Sequence, residues 1–208
     1  KAFVNKFIRA GYTQDPLTGL GNKRTFLNRL DSSIIKYSRN RNPLSLVMMD
    51  VDNFKQWNDR FGHLEGDYAL RKLGNYLQNN LREDDISAKY GGDEFGIIMP
   101  DTTFLQAKDV FGRVVAWDFG QVEFRPKEGA VEKITFSAGI STLHQGAEKE
   151  LFPEINFSRL TEDDVLLVRK AMISGADYGL YKVKLAGRNN YFPKNGLLYH
   201  NKSINFIN

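Results

Sequence analysis
The chain has 208 residues, 41% apolar and 26% charged, an ordinary globular composition with enough apolar content for one sizeable core. With 29 basic and 25 acidic residues its net charge is +4, which gives no strong pull toward nucleic acid or a membrane surface. Cysteine is absent, which excludes disulfides and thiolate metal sites and fits a reducing cytoplasm, and no apolar run reaches the roughly 18 residues of a membrane span.

Phe3, Phe7, Ile8 and Ala10 suit the end of an amphipathic helix over residues 1–14 that enters from upstream. The chain opens without Met, so a preceding module is expected. Asp15 to Asn22 reads as a loop, and Asn22 as the cap of a helix through Tyr37. Leu44–Met49 is a near-continuous apolar run, the pattern of a strand buried on both faces. Helices are expected over Phe54–Arg60, from about Gly66 to Leu81, and over 103–117. Ile86–Tyr90 and Phe95–Met99 flank Gly91-Gly92 and read as a hairpin whose glycines supply positive φ. Phe119–Phe124 and Lys133–Thr142 read as strands, and 143–161 as an irregular insertion. Thr161 caps a helix to about Ala186, Asn190–Phe192 reads as a short closing strand, and 196–208 as a polar tail. The order contains a β-α-β-β-α-β core, so the expected class is α+β, a ferredoxin-like antiparallel sheet flanked by helices.

In such a core the first strand neighbours the hairpin. Asp50 at the end of that strand and Asp93 and Glu94 at the hairpin can then converge, a donor set suited to a hard cation whose other ligands are phosphate oxygens. Taken alone, Asp50 also suits a helix cap, Asp67 a cap of the helix from Gly66, and Lys184 and Arg188 a solvated helix end.

Five blocks carry a resemblance. Tyr90-Gly91-Gly92-Asp93-Glu94-Phe95 resembles the signature loop of the GGDEF family, the diguanylate cyclases that join two GTP into cyclic di-GMP. Asp15–Arg24, Asp50–Asp59, Phe61–Asp67 and Ala176–Asn189 resemble the family's other blocks, in family order. The resemblance implies a nucleotidyl-cyclase-like GGDEF domain over about 15–195, with Mg²⁺ as cofactor and Mn²⁺ as its substitute. It implies that Asp50, the Val51 carbonyl and Asp93 hold metal, that Asp93 acts as base and that Glu94 supports it. Asn58 and Asp67 would read guanine, Phe54 and Lys55 would offer backbone N–H groups to phosphate, and Lys184 with Arg188, at i and i+4 on one helix face, would hold phosphate. Arg82 and Asp85 match an inhibitory site for cyclic di-GMP. Two domains must face each other for turnover, and an upstream sensor or receiver module is expected. The competing expectation is a module that binds GTP or cyclic di-GMP without turnover; a mixed cyclic AMP-GMP product is disfavoured by Asp67. Departures are Lys89 and Lys23 for arginines and Gly179 for a common alanine.

Overall fold
The computed structural model describes residues 13–116, 134–188 and 191–192, with the side chains of 115, 116, 191 and 192 left aside. The expected helix over 1–14 lies almost wholly outside the described residues, as do the Phe119–Phe124 strand and the tail.

Among the described residues six strands form one sheet: β1 (Gly21–Asn22), β2 (Leu44–Val51), β3 (Ile86–Lys89), β4 (Glu94–Met99), β5 (Phe136–Leu143) and β6 (Tyr191–Phe192). Their order is β1-β3-β4-β2-β5-β6. The four central strands are antiparallel and realise the expected ferredoxin-like core. The two-residue strands at its edges pair parallel, β1 with β3 and β6 with β5, so the described sheet is mixed.

β2 owes its apolar run to burial on both sides. Leu44, Leu46 and Met48 point to the layer of α1 (Lys23–Asn40) and the last helix, while Val47, Met49 and Val51 point to the other face. That second face is covered by α3 (His63–Asn80) and α4 (Phe104–Ala116), with α2 (Phe54–Phe61) leading into α3. Each fully buried aliphatic or aromatic side chain contributes about 1.5–3 kcal/mol, so the strand is fixed in register by its flanks. The strand runs on to Val51, so Asp50 lies inside the ladder rather than beyond it.

α1 starts as expected, with Asn22 Oδ1 accepting from the Thr25 N–H at 2.9 Å, but runs past Tyr37 to Asn40. α3 begins at His63 rather than about Gly66, so Asp67 sits inside a helix and is not its cap. The segment read as irregular contains α5 (Gln145–Leu151). There His144 Nδ1 accepts from the Gly146 and Ala147 N–H groups and caps the turn. Glu148 of α5 then accepts from Tyr37 Oη and pairs with Arg41, and Phe152 and Phe157 are buried, so this segment closes one end of the α1 layer.

The last helix, α6 (Glu162–Leu185), begins with a capping box in which Thr161 and Asp164 each satisfy the other's backbone N–H. It lies directly on β5. A Cβ at Gly139 would overlap the Ala176 carbonyl oxygen and the Leu180 nitrogen and stand 2.8 Å from the Gly179 carbonyl carbon. The glycine at 179, a cost of roughly 0.5–1 kcal/mol to an isolated helix, therefore lies where helix and strand backbones touch.

Candidate active site
Even-numbered residues of β2 face α6, so the strand's periodicity aims Asp50 at that helix. Lys184 Nζ of α6 stands 2.6 Å from Asp50 Oδ1. The register partners of Asp50 are Glu94 on β4 and Ser137 on β5. Burial raises the Asp50 pKa; Lys184 opposes that rise, and the charges of Asp93 and Glu94 add to it. Carboxylates from two distant motifs thus meet at one end of the sheet. Asp177 of α6 joins them: its carboxyl is pushed up to about 6, first by burial and then by the Glu94 charge.

The signature loop is closed by the Tyr90 and Gly91 N–H groups, which donate to the Glu94 carbonyl at 2.8 and 3.2 Å. The expectation of positive φ at Gly91 and Gly92 is corrected here, because among the described residues the glycines with positive φ are Gly19, Gly62 and Gly187. What Gly91 supplies is space: a Cβ there would overlap the Glu94 carboxylate. At Gly92 a Cβ would meet nothing within 4 Å, so its missing side chain leaves the loop tip open. The Val51 N–H donates to the Asp93 carbonyl at 3.2 Å, which ties the end of β2 to this loop.

α2 starts at Phe54, as expected, straight after Asn53 in the left-handed region (φ 55°). Asn53 makes no side-chain cap bond, so the amides of the first turn, with those of Phe54 and Lys55, stay available to an anion at the positive end of the helix dipole. Asn58 lies across from Gly66: a Cβ at Gly66 would overlap Asn58 Oδ1 and stand 3.0 Å from the Phe54 ring. Asn58 Oδ1 is buried with no hydrogen-bond partner among the described residues, and half-buried Asp67 follows Gly66 in the chain. An acceptor in that condition awaits a donor.

One expected juxtaposition fails. α6 ends at Leu185, and Arg188 follows Gly187 (φ 111°) with φ 66°, so Lys184 and Arg188 do not share a helix face. The Arg188 N–H instead donates to the Val183 carbonyl at 3.1 Å, closing the helix end. Arg82 and Asp85 also lie beyond their helix, which stops at Asn80. They are drawn together by a turn in which the Arg82 N–H donates to Asp85 Oδ2 at 3.1 Å and the Asp85 N–H to the Arg82 carbonyl at 3.0 Å. Burial raises the Asp85 pKa. This turn sits at the opposite end of β3 from the signature loop.

Among the described residues no three ligating side chains form a closed metal cluster. The oxygen-only set of Asp50, Asp93, Glu94 and the Val51 carbonyl nevertheless suits Mg²⁺, which takes one or two carboxylates and fills its shell with substrate oxygens. A groove of about 1090 Å³ lies elsewhere, between the far halves of α1 and α6, and holds none of these residues. Sequence reasoning passed over Asp177, although it stands seven residues before Lys184, two turns away on one helix face. It also passed over Asp52, whose burial only the structure reveals.

Residues 12–154 match the family model described as Diguanylate cyclase, GGDEF domain. The chain belongs to the GGDEF family. It is 33% identical over 176 residues to the Response regulator PleD of Caulobacter vibrioides, covering 84% of this chain and 34% of PleD. It is 34% identical over 174 residues to the Diguanylate cyclase DgcP of Pseudomonas aeruginosa, covering 84% of this chain and 23% of DgcP. The chain thus spans about a third or less of the length of these relatives. Among solved structures, this GGDEF chain superposes on diguanylate cyclase SiaD of Pseudomonas aeruginosa, determined in complex with its activator SiaC. The TM-score is 0.68 at 29% identity, over 91% of this chain and 64% of that one. The coiled coil and GGDEF domain of DgcB from Caulobacter crescentus, in complex with c-di-GMP, superposes with TM-score 0.73 at 23% identity, over 91% and 89% of the two chains, a likeness of fold.

Proposed function
We propose that this GGDEF domain is a diguanylate cyclase that condenses two GTP into cyclic di-GMP and two pyrophosphates. The observation that carries the reading is the register of Asp50 against Glu94, which brings the two acidic motifs to one point beside Lys184.

Each domain holds one GTP, with Asn58 and Asp67 accepting from the guanine N1–H and N2–H₂ groups. The amides at Phe54 and Lys55, with Lys184 and Arg188, take the triphosphate. Mg²⁺, or Mn²⁺ in its place, held by Asp50, Asp93 and the Val51 carbonyl, would polarise phosphate and lower the pKa of the attacking hydroxyl. Asp93 accepts the proton of the ribose 3′-hydroxyl as its oxygen bonds to the α-phosphorus of the GTP in a facing domain. The α–β phosphoanhydride bond breaks and pyrophosphate leaves. Two such transfers close the ring, so two domains must face each other and turnover depends on the dimer.

Product returns to the turn of Arg82 and Asp85, where guanidinium and carboxylate suit the guanine edge, and restrains the enzyme from the far end of β3. Similarity to a response regulator supports an upstream receiver or sensor module, which would set the dimer, and the SiaD complex supports control of such domains by an activator. Among the described residues no helix is long and apolar enough to cross a membrane, and we place the domain in the cytoplasm, where GTP is found.

The test is to incubate the domain with GTP and Mg²⁺ over a dilution series. Cyclic di-GMP and pyrophosphate in a 1:2 ratio, with specific activity rising with protein concentration, are expected. Binding of GTP without product at any concentration would leave a signalling module instead.

A further inference from the structure
We infer that Asp52 is a positioning residue: its buried carboxylate clamps the peptide that carries the Val51 carbonyl, and is not itself a metal ligand. This rests on the cyclase reading of the site.

The run Asp50-Val51-Asp52 offers two aspartates two positions apart, and residue type alone does not separate their duties. The structure does. Asp50 meets Lys184 at the mouth of the site, whereas Asp52 is 5% exposed. Asp52 Oδ1 accepts from Ser137 Oγ at 2.7 Å and Oδ2 from Thr135 Oγ1 at 2.8 Å. The Asp52 N–H donates to the Thr135 carbonyl at 2.8 Å. Both oxygens are engaged, and burial shields what remains of them from a cation.

The position of this clamp gives it consequence. Residue 51 is tied to the signature loop through Asp93, and residue 52 to the start of β5 on the other side. The Val51 carbonyl lies on the peptide between those two anchors. Immediately after it Asn53 holds a left-handed conformation (φ 55°, ψ 28°) and opens α2. A non-glycine residue keeps that conformation only where its surroundings hold it. Thr135, just before β5, and Ser137 within it both donate to Asp52, and Ser137 is the register partner of Asp50. The same three side chains therefore set the distance from β5 to the metal peptide and to the first turn of α2.

The test compares five variants with the parent: Asp52→Asn, Asp52→Ala, the pair Thr135→Val with Ser137→Ala, and each of those hydroxyl changes alone. Mn²⁺ affinity is read from water proton relaxation in the presence of a non-hydrolysable α,β-methylene GTP, and thermal midpoints are recorded alongside. Asparagine keeps an acceptor for Ser137 and offers a donor to Thr135, so geometry survives without charge. Loss of a group that orients a metal ligand weakens metal binding by roughly 10–100-fold, so that loss is expected for Asp52→Ala and the hydroxyl pair, with Asp52→Asn within about threefold of the parent. Equal loss in Asp52→Asn and Asp52→Ala, with parent affinity in the hydroxyl variants, would make Asp52 a charge acting on the metal and overturn the inference. Hydroxyl variants that lose thermal stability but keep parent Mn²⁺ affinity would also overturn it, leaving a merely structural bond. A parent that shows the expected Mn²⁺ pattern but forms no cyclic di-GMP would uphold the clamp and remove the cyclase reading.

Discussion
Lys184 Nζ lies 2.6 Å from Asp50 Oδ1, so a group expected to hold phosphate rests on one expected to hold metal. The pair is partly buried, and Asp93 and Glu94 stand close by. Lys184 thus serves the fold by offsetting repulsion among carboxylates, and on the proposed reading its ammonium already stands at the acidic cluster where a triphosphate would meet it. Lys184→Gln should lower stability at pH 7 by about 1–2 kcal/mol, less than the cost of breaking a fully buried pair because both side chains retain some exposure. The lost cation leaves the Asp50 pKa still higher, so the deficit should shrink as pH falls and Asp50 takes up a proton. Urea midpoints at pH 5 and 7 check this; an equal deficit at both would contradict it.

Asp177 gives a second pH effect. Its pKa rises from 3.8 to about 6 in the folded domain. The native state then holds a proton that the unfolded chain has released, so stability falls as pH rises from about 4 through about 6. Asp177→Asn should flatten that slope and raise Tm at pH 7, measured without divalent cation. Parallel Tm curves for parent and variant between pH 4 and 7 would remove Asp177 from the cluster.

The glycines separate space for folding from space for ligand. Gly139→Ala drives a methyl group into the backbone of α6 and should cost at least about 2 kcal/mol, with loss of activity following from a displaced Lys184. Gly92→Ala meets no atom within 4 Å and no left-handed backbone, so stability should hold within about 0.5 kcal/mol. Activity should nonetheless fall, because the loop tip is open for the nucleotide. Full activity in Gly92→Ala would show that nothing approaches there.

Base choice should respond to a residue that never touches the base. Gly66→Ala pushes on Asn58 Oδ1. Removing one well-placed hydrogen bond costs about 1–3 kcal/mol, so KM for GTP should rise roughly tenfold or more. Asp67→Ser, which removes the neighbouring acceptor, should admit ATP. Unchanged GTP-over-ATP preference in both variants would displace the guanine site from this pair.

The proposed feedback turn of Arg82 and Asp85 lies at the opposite end of β3 from the proposed catalytic site. Cyclic di-GMP should bind a domain whose Asp93 is changed to Asn, and Arg82→Ala should abolish that binding while product accumulates to higher levels at late times. Calorimetry showing equal affinity for parent and Arg82→Ala would refute the assignment.

Much of the chain was legible by itself because the signals are local. The alternation that buries Leu44 to Val51 on two faces, the Asn22 and Thr161 caps and the spacing of hairpin strands all act within a few residues. The ordered acidic motifs pointed to one family for the same reason, since each block is contiguous. Local reading failed where a distant partner decides and where a less usual local stop or cap, such as a histidine cap or a left-handed Gly-Arg step, was passed over. His144 turned a glycine-bearing stretch into α5, and Tyr37 and Arg41 then held it through Glu148. Gly187 ended α6 and took Arg188 off the face of Lys184, although an unbroken helix would keep them together. The resemblance gave Asp50 a role and left Asp52 without one; only the tertiary structure shows what Asp52 does. Asp50 meets a lysine from the end of the chain and Asp52 two hydroxyls at the start of β5, and that difference arises because β2 ends between them and turns. A motif fixes which groups are present; which group is sealed in and which faces the substrate depends on strands brought together from more than 80 residues away, through contacts no local pattern encodes.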